Sequence, residues 1–135
     1  MPETHSVHGE IEMMAFGGRL ARTLRAGDVV TLSGPLGAGK TTLARGFLLG
    51  LGWKGHVRSP TYNLIHTYPT DPPVMHADLY RLTSADRLGL EEFLDTHLCV
   101  IEWPDRLGDA LKGRSGVTQV VIEFEGEGRR VMVER

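Results

Sequence analysis

Residues 34–46, GPLGAGKTTLARG, place three glycines in six positions and follow them with a lysine and two threonines. Gly34 and Gly39 bracket four residues, and Lys40 and Thr41 complete a G-x-x-x-x-G-K-[ST] pattern, which turns backbone N–H groups toward an anion at a helix N-terminus. The spacing predicts that the amides of Gly37, Ala38, Gly39, Lys40 and Thr41 wrap a β-phosphate, with Gly34 and Thr42 completing the binding set. Lys40 then reaches the β- and γ-phosphates, and the Thr41 hydroxyl holds Mg²⁺. Pro35 lacks an N–H, but the donors that matter follow it. A glycine turn that merely caps a helix is the competing reading; the strand before the loop and the helix after it favour the cradle.

Such a site needs a second anchor for the metal. The run LCVIEW ends an apolar strand on an acid, Glu102, at the point where a parallel strand reaches its carboxyl end. Trp103 beside it is either core or a cover for the nucleotide pocket. In HADLYR, side chains two apart share a face of a strand, so His76, Asp78 and Tyr80 point one way. If this strand neighbours the loop strand, Asp78 projects beside the phosphates, where it positions the attacking water or binds Mg²⁺ through water. His76 reads as a satisfied strand histidine, and the His-x-Asp spacing lacks a third ligand for structural zinc. In RSPTYN, Pro60 forces extended backbone on Ser59, and Thr61 is the candidate for sensing a γ-phosphate and Mg²⁺; an ordinary strand-opening turn competes.

The elements that must carry these groups alternate. Met13, Phe16, Leu20 and Leu24 recur at helical steps across residues 10–24. Residues 28–33 form a short β-branched run into the glycine loop, and 41–51 leave it with helical spacing. Strands are expected at 62–68, 74–80 and 98–103, a helix at 84–95, and a closing hairpin that turns at 126–128. The stretch TYPTDPPV reads as a rigid surface loop. The predicted fold class is α/β, a P-loop NTPase-like three-layer sandwich with a mostly parallel sheet and an antiparallel edge hairpin.

At 135 residues the chain suits one domain, 1–135, with no room for a separate substrate domain. Fifteen basic against 17 acidic residues leave a net charge of −2, which disfavours direct binding of DNA or RNA. The lone cysteine, Cys99, sits in an apolar run, fitting a buried thiol and a reducing compartment. No apolar run approaches a membrane span, and a cytoplasmic, membrane-free protein is expected. Guanine recognition through Asn-Lys-x-Asp is excluded, since Asn63 is the only asparagine and no lysine follows it. ATP is therefore the expected nucleotide. The Asp-x-x-Gly match at 105–108 carries little information.

GPLGAGKTTLARG, SPTYNLIHTY, HADLYRL and VIEWPDRL, in this order and at these intervals, resemble the TsaE family of small bacterial P-loop ATPases over roughly residues 10–130. The resemblance implies a part in forming threonylcarbamoyladenosine in tRNA. It further implies ATP and Mg²⁺ as cofactors, slow hydrolysis, and docking on the transferase subunit TsaD and its partner TsaB, whose complex the nucleotide cycle resets. Contact with tRNA would then be indirect. By the same resemblance Thr41 and Glu102 are Mg²⁺ ligands, and Asp78, Lys40, Thr61 and Trp103 serve hydrolysis or its coupling to partners. Glu10, Asp105 and Arg129 would line the rest of the nucleotide pocket. Pro35 departs from the family, which usually carries an acid there. Two other classes compete: a small-molecule kinase, which needs an arginine-bearing lid not visible here, and a non-catalytic nucleotide switch.

Overall fold

The computed structural model describes residues 2–57, 64–82 and 89–135. In chain order the elements are β1 (Glu3–Val7), α1 (Gly9–Ala21), β2 (Val29–Ser33), α2 (Lys40–Gly50), β3 (Ile65–Tyr68), β4 (Val74–Asp78), α3 (Glu91–Leu94), β5 (Leu98–Glu102), a 3₁₀ turn (Pro104–Leu107), β6 (Val117–Glu125) and β7 (Gly128–Glu134). The strands form one sheet in the order β1-β7-β6-β2-β5-β4-β3. Its centre, β6-β2-β5-β4, is parallel, and antiparallel strands flank it on both sides.

Burial explains the sequence pattern strand by strand. β5 is buried throughout, and β2 and β4 at all but their last residue, because helices or loops pack on both of their faces. In β6 and β7 buried and more exposed residues alternate, as in strands with one wet face. On one face Val30, Leu32, Val100, Val120 and Ile122 meet Met13, Phe16 and Leu20 of α1 and Leu43 and Phe47 of α2. On the other, Val29, Met75, Ala77, Cys99 and Ile101 meet Leu90 and Leu94. Cys99 is fully buried there, and burial pushes its thiol up to about 11.

α1 and α2 touch backbone to backbone. A Cβ on Gly46 would stand 2.1 Å from the carbonyl oxygen of Met14, and one on Gly17 2.2 Å from that of Leu43. Glycine at these crossings lets α2 lie flat on α1 and fixes where its N-terminus, at the glycine loop, sits above the sheet.

Several boundaries differ from the sequence expectation. α1 ends at Ala21, three residues before the expected Leu24, because the Thr23 amide and hydroxyl both donate to the Leu20 carbonyl, at 3.1 and 2.8 Å. β1 was not expected: it is an edge strand with four of five residues exposed, so it lacks the apolar alternation that marks a half-buried strand. β4 stops at Asp78, whose own Oδ1 accepts the Tyr80 amide at 3.1 Å. Of TYPTDPPV, expected as a loop throughout, only residues 69–73 connect the β3–β4 hairpin; Thr67, Tyr68 and Val74 are paired strand residues. Of the helix expected at 84–95, residues 84–88 lie outside the described residues and Glu91–Leu94 is helical. The expected start of β3 at 62 likewise falls outside them.

Candidate functional site

The parallel centre brings three carboxyl ends together. In register, Leu32 of β2 pairs with Glu102 of β5, which pairs in turn with Asp78 of β4. The chain leaving β2 runs straight into the glycine loop, so both acids lie at the edge from which that loop rises. β5 separates the Asp78 strand from the loop strand, against the condition that the two be neighbours; Asp78 nonetheless contributes to the field at Lys40.

The loop needs its glycines. Gly39 caps α2 at φ 117°, a conformation L side chains rarely adopt, and a Cβ on Gly34 would stand 2.4 Å from the Ile122 carbonyl oxygen. Lys40, 5% exposed, turns back over the loop and donates from Nζ to the carbonyls of Gly34 at 2.6 Å and Pro35 at 3.0 Å. Its Nζ also lies 4.2 Å from the centre of the Trp103 ring. Burial lowers the Lys40 pKa from its ordinary value, and the charges of Glu102 and Asp78 oppose that shift. Trp103 holds φ 59° at the turn after β5, an uncommon backbone for a bulky residue and one that persists only where the surrounding structure over-determines it. Tyr80 packs on the same indole with ring centres 4.9 Å apart.

Next along α2, the Thr41 hydroxyl donates to Glu102 Oε1 at 3.2 Å, 61 residues away in sequence. Glu102 is 2% exposed, and its Oε2 lies 2.6 Å from His76 Nε2. Burial raises the Asp78 pKa, as does the neighbouring Glu102 charge; the Tyr80 amide, His76 and Lys40 act the other way. A hydroxyl and a buried carboxylate converging beside a lysine form an oxygen donor set that suits Mg²⁺, which takes one or two protein ligands and leaves the rest to phosphate and water. Among the described residues no group of three or more His, Cys, Asp or Glu could hold a metal ion by itself.

Beside the loop lies a cavity of about 190 Å³, lined in part by Glu10, Gly37, Ala38, Gly39, Thr42 and Arg129. Arg129 also clamps the loop, donating from Nε to the Ala38 carbonyl at 2.9 Å and from Nη2 to that of Gly37 at 3.3 Å. Of the three residues expected from outside the loop, Glu10 and Arg129 line this cavity. Asp105 lies elsewhere: it is exposed in the 3₁₀ turn and lines a separate cavity with Thr31 and Ser33, whose strand positions face away from α1 and α2. Thr61 lies outside the described residues. Sequence reasoning missed Met13 and Glu127 in the cavity and the His76 contact with Glu102. For the last, the sequence shows the strand face that His76 shares with Asp78, but not that Glu102 of the neighbouring strand lies on it.

The family model for the threonylcarbamoyl adenosine biosynthesis protein TsaE matches residues 7–132. The chain belongs to the TsaE family. A TsaE protein of Haemophilus influenzae is 39% identical over 138 residues, covering 95% of this chain and 86% of that protein. Another from Streptomyces coelicolor is 47% identical over 98 residues, 67% of this chain and 66% of that protein. The crystal structure of Bacillus subtilis YdiB superposes with a TM-score of 0.84 at 29% identity, covering 98% of this chain and 84% of that one. The TsaE match extends over the glycine loop, both carboxylates and Arg129 in β7, and this α/β fold is the one it shares with YdiB.

Proposed function

We propose that this TsaE protein binds ATP with Mg²⁺ on its glycine loop and hydrolyses it slowly, the cycle serving the TsaB–TsaD transferase that forms threonylcarbamoyladenosine in tRNA. The observation that carries the reading is the Thr41–Glu102 contact at the loop, with Lys40 alongside. When bound, Mg²⁺ would supply charge neutralisation on the phosphates. The residues do the rest. Lys40 would exchange its two carbonyl partners for phosphate oxygens and Thr41 and Glu102 would hold the metal, while Glu10 and Arg129 line the adjoining cavity. Asp78, half-buried and aimed by the Tyr80 amide, accepts a proton from, or orients, the attacking water. Trp103 covers Lys40 from the other side.

The near-neutral charge suits a protein that meets tRNA through partner subunits and not by a basic face of its own. Among the described residues no helix is long and apolar enough to cross a membrane; residence in the cytoplasm belongs to the same reading. The test is reconstitution: TsaB and TsaD with tRNA, threonine, bicarbonate and ATP, with and without this protein. Repeated rounds of modified adenosine only in its presence support the proposal. Equal multiple turnover without it overturns the resetting role.

A further inference from the structure

The structure assigns His76 as the positioning residue for Glu102, aiming one carboxylate oxygen at the glycine loop. His76 stands in mid-strand in β4, opposite Val100 of β5, and is 1% exposed. Its Nε2 lies 2.6 Å from Glu102 Oε2, while Nδ1 is buried with no hydrogen-bond partner among the described residues. A ring placed there only to fill space would be an aliphatic side chain like its neighbours Val74 and Val100, because an unpartnered buried nitrogen costs stability. Among the described residues, the single polar contact the ring makes goes to the carboxylate that meets Thr41.

The consequence is geometric. With Oε2 engaged by the imidazole, Oε1 is the oxygen left to face the Thr41 hydroxyl, 3.2 Å away. The Glu102 side chain is buried and cannot be steered by solvent, so the imidazole fixes its terminal torsion. Outer partners of this kind hold a ligating oxygen in its working direction, and losing one typically lowers metal affinity about 10- to 100-fold. Among the described residues His76 makes no hydrogen bond to the glycine loop; it acts through Glu102.

This inference rests on the proposal that Thr41 and Glu102 bind Mg²⁺, and its test separates the two. ADP is titrated into the full chain by calorimetry, once with magnesium chloride and once with EDTA, for the wild type, His76→Leu, His76→Asn and His76→Gln. Glutamine places an N–H near the position of Nε2; asparagine is too short to reach Oε2. Loss of about 10-fold or more in magnesium-dependent affinity for His76→Leu and His76→Asn is expected, with EDTA values within about twofold of wild type and recovery in His76→Gln. Should His76→Leu fail to fold, His76→Asn against His76→Gln decides the matter. Unchanged magnesium dependence in His76→Asn, equal losses with and without magnesium, or a glutamine variant as weak as asparagine overturns the inference alone. A wild type whose ADP affinity ignores magnesium overturns it together with the reading beneath it.

Discussion

Lys40 Nζ lies 4.2 Å from the centre of the Trp103 ring while donating to the Gly34 and Pro35 carbonyls, so two of its three N–H donors are held by the glycine loop itself. A phosphate arriving at the loop competes for those donors and changes the charge beside the indole. Nucleotide binding is therefore expected to alter Trp103 emission. The measurement uses a Trp53→Phe background, which leaves Trp103 as the only tryptophan. A spectrum unchanged at nucleotide saturation would contradict the contact's place in the site.

Asp78→Asn is expected to keep ATP affinity within about threefold and to stop hydrolysis, since the amide cannot accept a proton. The pH profile carries a second sign. Burial raises the Asp78 pKa from its ordinary value of 3.8, so the ionised base is lost on acidification sooner than a free aspartate would be. The acid limb of the rate profile should accordingly lie above the range of an exposed aspartate. Equal turnover in the variant removes Asp78 from the chemistry.

Glu102→Ala should weaken ATP binding in magnesium more than in EDTA. It should also lower stability by about 1–3 kcal/mol, because His76 Nε2 is left buried without its acceptor. Urea denaturation of the two chains gives the second quantity. Identical affinity losses in both buffers would move the metal ligand elsewhere.

The helix crossing makes a prediction independent of any ligand. Gly46→Ala, whose Cβ would meet Met14 backbone at 2.1 Å, should destabilise the fold by about 1–3 kcal/mol. Gly18→Ala, nearest to the Gly46 carbonyl at 3.4 Å, is tolerated far better and gains helix propensity of up to about 1 kcal/mol. Denaturant midpoints for the pair decide it; reversed order would mean the helices pack differently.

The central strands and the glycine loop were legible because burial on both faces writes uninterrupted apolar runs, and because the loop's residue types have few other uses. β1 was illegible for the opposite reason: pairing with β7 is made by backbone, which leaves no mark in an exposed strand. Glu102 could be found as an acid ending a strand, but its bond to Thr41 depends on β2 and β5 being neighbours, a fact of topology. Asp105 was expected at the pocket from the family resemblance, and the left-handed turn at Trp103 and the 3₁₀ turn after it carry residue 105 to another cavity. His76 was read as an ordinary strand histidine, since no local pattern reveals that its partner is 26 residues on.

The loop's role is tested most directly by calorimetric titration of ATP into the wild-type chain and into Lys40→Ala, each with and without magnesium. One site per chain, tightened by magnesium and lost in Lys40→Ala, is the expected result. The affinity should also fall as pH rises through the lowered Lys40 pKa, where the ammonium gives up its charge. No heat from the wild type, or a Lys40→Ala variant that binds as tightly as the wild type, would contradict the account.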